Sequence, residues 1–264
     1  MKLKKVGIAL CLSASLLVLG ACNSSKGSTT TPKSVKTETV AFQKDINQKN
    51  ERVWLITSSE DFGKDSKIKE AIHVKDGKAE LITPVATLKD LDKLKDNKVW
   101  DYLVKTGKDN YKEHRQSYID YWSNLVKNDQ NPYTKDGFTS EEDFETSAKN
   151  NKKALDLLNK TTELKPVVLQ SKVSIATDTT GNETNSERID FDGTPEVKAL
   201  LGNNYQVRID LESLNEPVEI LQHTYLSFEM KDNQRVLTRK NNNFKGISFD
   251  KVNEKGVEEI QDND

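Results

Sequence analysis

The sequence predicts an α+β fold: a small N-terminal sheet with helices, followed by a C-terminal antiparallel β meander. Three observations predict it. Asp76-Gly77 lies between two β-prone runs, 71–75 and 78–83, and is a strong two-residue hairpin signal. From Leu88 to Leu158, apolar residues recur at the three-to-four spacing of helices. Past Pro166 the period switches to two, with Val167, Leu169, Val173 and Ile175 marking one face.

The elements follow in chain order. Residues 53–57 are β-prone and open the small sheet. Ile72 and Val74 share a face of the next strand, and Ala79 and Leu81 match them across the hairpin. Thr87, with Asp90 three residues later, caps a helix carrying Leu88, Leu91 and Leu94. Asp96 starts a second helical stretch with Val99, Trp100, Leu103 and Val104. A third follows Gly107 and carries Tyr111, Tyr118, Trp122, Leu125 and Val126. Asn131-Pro132 and Asp136-Gly137 mark a loop. Thr139 or Ser140, with Glu142 or Asp143, caps the last long helix, which bears Phe144, Ala148, Leu155 and Leu158. After a polar loop at 178–185, Ile189 and Phe191 resume the alternation. Thr194, Pro195 and Gly202 punctuate a short helix. Tyr205, Val207, Ile209 and Leu211 alternate again, 218–230 reads as one long strand, and Val236-Leu237-Thr238 and Ile247-Ser248-Phe249 complete the meander.

The N-terminus is an export signal. Lys2, Lys4 and Lys5 precede an apolar run, 6–19, too short to span a bilayer comfortably and ending in small residues. Leu19-Gly20-Ala21-Cys22 resembles a bacterial lipobox. In that motif prolipoprotein diacylglyceryl transferase lipidates the cysteine sulfur, and lipoprotein signal peptidase then cuts, here between Ala21 and Cys22. The alternative is ordinary secretion with Cys22 incidental, but Leu19 is a poor third residue before a general signal-peptidase cut. Cleavage removes Lys2, Lys4, Lys5 and no acid from 40 basic and 42 acidic residues, so the net charge moves from −2 to −5. Cys11 leaves too, and the remaining Cys22 is blocked by lipid, so no disulfide forms within the mature chain. Two acyl chains give lasting anchorage where one gives only marginal binding.

The segments are therefore a signal peptide (1–21), a lipidated flexible tether (22–51), an α+β region (52–163), a β-rich region (164–252) and an acidic disordered tail (253–264). The first half of the tether is Ser/Thr/Lys-rich and buries too little apolar surface to offset ordering entropy, a coil of this length spanning roughly 30 Å, while Val40, Phe42 and Ile46 are expected to begin touching the fold. Arg52-Val53-Trp54-Leu55-Ile56, then 63–68 (GKDSKI) and 74–79 (VKDGKA), resemble a group of small uncharacterised cell-surface lipoproteins of low-GC Gram-positive bacteria. The resemblance implies an envelope location and imports no active site.

Motifs for catalysis are missing. There is no Gly-x-Ser-x-Gly elbow, phosphate loop or dinucleotide fingerprint. His73, His114 and His223 stand apart, and His73, between Ile72 and Val74, is expected on a polar strand face. Asp178, Glu183, Asp190 and Asp192 are turn acids without the spaced oxygens of a calcium loop. No metal or cofactor and no catalytic residue is assigned. A pI near 6.1 offers no footprint for nucleic acid. Tyr118, Tyr121 and Trp122 form a possible ligand surface, set against the commoner reading of an aromatic helical stripe as core.

These readings predict a lipid-anchored protein on the extracytoplasmic face of the cell membrane, with a non-enzymatic binding or scaffolding role for an envelope ligand or protein partner. The alternatives are a carboxylate-dependent envelope hydrolase or its accessory, and a solute receptor. The segment 14–21 also resembles peptide pheromones released from lipoprotein signal peptides.

Overall fold

In the computed structural model, the described residues are 38–58, 62–130, 140–192, 207–230, 234–241 and 244–260. The expected signal peptide, Cys22, the 131–137 loop marks, the short helix expected at 194–202 and Tyr205 lie outside them.

The hairpin forms as its turn residues dictate. β2 (Arg52–Thr57), β3 (Lys67–Lys75) and β4 (Lys78–Ile82) are antiparallel, and Asp76 and Gly77 take the positive φ values, 51° and 79°, that a primed turn needs. Ile72 pairs with Leu81 and Val74 with Ala79, all buried. A short strand, β5 (Ala86–Thr87), leads into α2 (Leu88–Leu91). Here the Asp90 carboxylate accepts from the Thr87 N–H and hydroxyl, both at 2.8 Å. At α4 (Glu141–Lys160), Ser140 is the capping residue and its Oγ accepts from the Asp143 N–H at 3.1 Å.

Two helical stretches expected around Gly107 are one helix, α3 (Asp96–Asn128), of 33 residues. Gly107 does not break it. A Cβ at that position would lie 3.0 Å from both Ile82 Cγ1 and the Thr83 carbonyl oxygen, so glycine lets α3 approach the end of β4.

The meander comprises β6 (Val167–Thr177), β7 (Thr184–Asp192), β8 (Val207–Ile220), β9 (His223–Met230) and β10 (Arg235–Arg239), each antiparallel to the next. The single long strand expected at 218–230 is two strands. Leu221 turns the chain with φ of 56°, and the Gln222 N–H donates to Asp92 Oδ1 at 3.1 Å. Pro217 falls within the irregular register between Asn215 and Val218, where a missing N–H costs no ladder bond.

The meander and the N-terminal strands share one sheet. β4 pairs with β6 and β2 with β10, while β6 also pairs with β7. The pairings β2-β3-β4-β6-β7-β8-β9-β10-β2 close an eight-stranded antiparallel barrel. Trp54, Ile72, Leu81, Ile175, Phe191, Ile209, Phe228 and Val236 contribute one core cluster from all eight strands. A barrel of this size is just wide enough for side chains to fill. A second cluster lies on the outer face, where Leu55, Ala71, Tyr225 and Leu237 pack with Leu88, Leu103, Tyr111 and Leu158 of the helices.

The tether boundary needs correction. The folded body starts before residue 52: Val40, Phe42 and Ile46, expected to begin touching the fold, do so from two ordered elements, β1 (Glu38–Val40) and α1 (Phe42–Gln48). Phe42 is 3% exposed and its ring lies 6.1 Å from Trp54 and 5.6 Å from Phe191. The apolar residues of this short segment therefore bury into the barrel core. β1 pairs with β11 (Phe244–Ile247). The expected acidic tail likewise starts with order: β12 (Val257–Glu259) lies parallel to β6, with Val257 against the core and Lys172 Nζ 2.9 Å from Glu258.

Candidate functional site

A cleft of about 230 Å³ opens where the first turn of α3 leaves the outer face of the barrel. Its floor is Val53 and Leu55 of β2 and Val99 of α3. The alternation of β2 sends Trp54 and Ile56 into the barrel and leaves Val53 and Leu55 outside, so α3 covers them.

His73 and Trp100 form one wall. Their rings are stacked, 4.8 Å between centroids at 29°. His73 was expected on a polar face, yet it is 5% exposed because α3 lies over that side of β3. Its Nε2 is 3.3 Å from Glu51 Oε1, and Lys75 Nζ lies 3.1 Å from the same oxygen. Burial holds the His73 pKa below its ordinary value, against the opposing pull of Glu51. Hydrogen bonding from Lys75 holds the Glu51 pKa below the usual carboxylate value.

Arg239, the last residue of β10, forms the opposite wall. Its guanidinium donates to the carbonyls of Leu94 (2.7 Å) and Leu91, to Asp96 Oδ1 (3.2 Å) and to the Tyr225 hydroxyl (3.4 Å). Leu91 ends α2 and Leu94 precedes α3, so one buried cation satisfies carbonyls that the helix leaves open. Glu51, Asp96, Asn97 and Asn241 form the polar rim. Thr238 and Arg52, the latter held by Asp45, complete the lining.

The lining carries two arginines against two carboxylates with a near-neutral imidazole, so its formal charge balances. An indole wall, an apolar floor and a rim of amides and carboxylates suit a small neutral polar molecule with one apolar face. The lining residues come from positions 51 to 241, and no local motif joins them. The hydrophobic pattern of β2 and α3 was the one available signal, through the outward Val53 and Leu55.

The aromatic residues singled out in the sequence divide. Trp122 is 4% exposed and belongs to the outer core. Tyr118 is half-buried and stacks on Tyr111, with centroids 6.2 Å apart. Tyr121 is 59% exposed, edge-on to Trp122. None of the three lines the cleft. His114 is exposed, and His223 Nε2 lies 2.7 Å from the Asp92 carbonyl oxygen. The Asp178 carboxylate accepts from the Thr180 hydroxyl and the Asn182 N–H, as a turn acid does. Among the described residues, no three His, Cys, Asp or Glu side chains converge as a metal site.

Two carboxyl groups meet elsewhere. Glu187 of β7 points into the barrel, 2% exposed, and its Oε2 accepts from the Asp250 N–H at 2.7 Å. Asp250 is 1% exposed. The alternation of β7 marks Glu187 as inward with Ile189 and Phe191, the one sequence signal that could have singled it out.

No family model, curated protein or solved structure matches the chain.

Proposed function

We propose that this chain is a lipid-anchored protein of the extracytoplasmic membrane face. Its barrel body binds a small neutral polar ligand, such as a sugar ring, in the cleft at the foot of α3. The observation that carries the binding reading is the charge-balanced cleft walled by Trp100 and rimmed by Glu51, Asp96 and Asn97. Carboxylates and amides pair with vicinal hydroxyls, while the indole covers the apolar face of a ring. The lipobox ending in Cys22 supports the anchor, with the diacylglyceryl transferase and signal peptidase as maturation partners. Among the described residues no helix is long and apolar enough to cross a membrane.

Binding without catalysis fits the geometry of the acids. Glu51 and Asp96, the carboxylates at the cleft, are engaged by Lys75 and Arg239 respectively, whereas the tightly coupled pair is sealed in the barrel. The anchor is tested with a radiolabelled fatty acid, which should enter the wild type and not Cys22→Ala. Label retained in Cys22→Ala contradicts it. Binding is tested by titrating neutral sugars against the chain, and saturable binding that depends on Trp100 is expected.

A further inference from the structure

Helix α1 is held in one end of the barrel by groups far away in sequence. Phe42 and Ile46 pack against the barrel core, and a Cβ at Gly77 of the hairpin turn would lie 3.6 Å from the Ile46 carbonyl oxygen. Ala41, ahead of the helix, has no side chain to cap it. Asp250 does so instead: Oδ2 accepts from the Gln43 N–H at 2.7 Å and Oδ1 from the Lys44 N–H at 2.9 Å. Asp250 is tied in turn to β7, since its own N–H donates to Glu187 Oε2 and its carbonyl accepts from the Thr184 hydroxyl at 2.9 Å. Glu187 stands in register between Ile175 and Leu211, and its Oε1 has no partner among the described residues.

We propose that Glu187 and Asp250 are a proton-dependent latch that fastens α1 in the barrel end, closed while the pair keeps a proton and opened when both carboxyls ionise. Two buried carboxylates in contact cannot both be charged without desolvation and mutual repulsion. Asp250 ionises first because it has the two helix N–H donors. Burial raises its pKa to about 6 even so. Burial, and then the Asp250 charge, push Glu187 well above the usual carboxylate value.

The surroundings do not relieve the pair. Glu254, in the segment after Asp250, adds negative potential. From α1 and β2, Asp45 and Arg52 neutralise each other. Lys44 Nζ donates to the Thr39 carbonyl at 3.1 Å, and Arg188, beside Glu187, reaches Asp210 at 2.6 Å.

The sign follows from linkage. Folding raises both pKa values, so the native state holds protons that the unfolded chain has lost. The stability that the raised pKa values contribute is complete below the ordinary carboxylate range. Ionisation of Asp250 at about 6 removes part of it while the pair still holds one proton, and the latch itself opens only as pH rises on through the higher Glu187 value. If the N-terminus is lipid-anchored as proposed above, release of α1 adds its residues to the tether and extends the reach of the cleft from the membrane.

The test is amide hydrogen exchange on the full chain between pH 6 and 9, corrected for intrinsic rates. Protection of the amides of Phe42–Gln48 should fall by about tenfold or more while β3 and β9 stay protected. Glu187→Gln, which mimics the protonated acid, should hold α1 protection flat. A direct carboxyl carbon titration of the wild type covers the case in which the variant does not fold. It should show Glu187 and Asp250 titrating as a coupled pair with both steps above pH 5. Protection of α1 that does not change with pH, the same fall in Glu187→Gln, or either carboxyl titrating in the ordinary range overturns the latch.

Discussion

The imidazole of His73 lies against the indole of Trp100, 4.8 Å between ring centroids, so β3 and the first turn of α3 share one aromatic stack. Charging this imidazole is unfavourable, because burial holds its pKa below 6.5. The folded state therefore binds fewer protons than the unfolded chain as pH falls below 6.5. The stability that the neutral ring contributes is complete above that value and is lost as pH drops through the lowered folded pKa. Urea midpoints at pH 5 and pH 8 should show this loss in the wild type, and His73→Phe should remove most of it. An equal acid loss in both chains contradicts the assignment.

Arg239 ties three elements together and should be the costliest substitution in the cleft. Arg239→Met leaves the carbonyls of Leu91 and Leu94 and the Tyr225 hydroxyl without their donor. A loss of about 3–5 kcal/mol in equilibrium unfolding is expected. Asp96→Ala removes only the exposed partner of the same guanidinium, and should cost no more than about 1 kcal/mol.

Gly107 measures the approach of α3 to β4. Gly107→Val brings a branched side chain against Ile82 and the Thr83 carbonyl, and should destabilise by about 1–3 kcal/mol. Thermal unfolding reads it directly. A neutral result would mean that the helix shifts away at little cost.

Leu221 offers the opposite sign. It is 49% exposed and sits in the left-handed region at φ 56°. Leu221→Gly relieves the Cβ strain and should raise stability by up to about 1 kcal/mol, seen as a higher Tm.

Local chemistry was readable where one short segment decides the outcome. Asp76-Gly77 makes its turn, Asp90 caps α2 at Thr87, Ser140 caps α4, and Ile72 and Val74 meet Leu81 and Ala79 across the hairpin. Barrel closure was not readable, because strand period fixes which face is buried and says nothing of which strand lies next door. The β2–β10 and β6–β7 pairings depend on that long-range choice. The Leu221 turn carries no glycine or asparagine, so it looked like continuous strand. Gly107 looked like a boundary because its reason, the nearness of Ile82, exists only in three dimensions. The cleft stayed hidden for the same cause: Glu51, His73, Trp100 and Arg239 are neighbours only once α3 lies across the barrel.

The central claim is that this cleft receives a neutral polar ligand. Its most direct measurement is a nuclear magnetic resonance titration of the full chain with a panel of neutral hexoses and N-acetylhexosamines, following the indole signals. The account predicts a saturable shift of Trp100 with at least one sugar, absent in a Trp100→Leu chain that unfolds like the wild type. No shift with any member of the panel, or the same binding by Trp100→Leu, would contradict it.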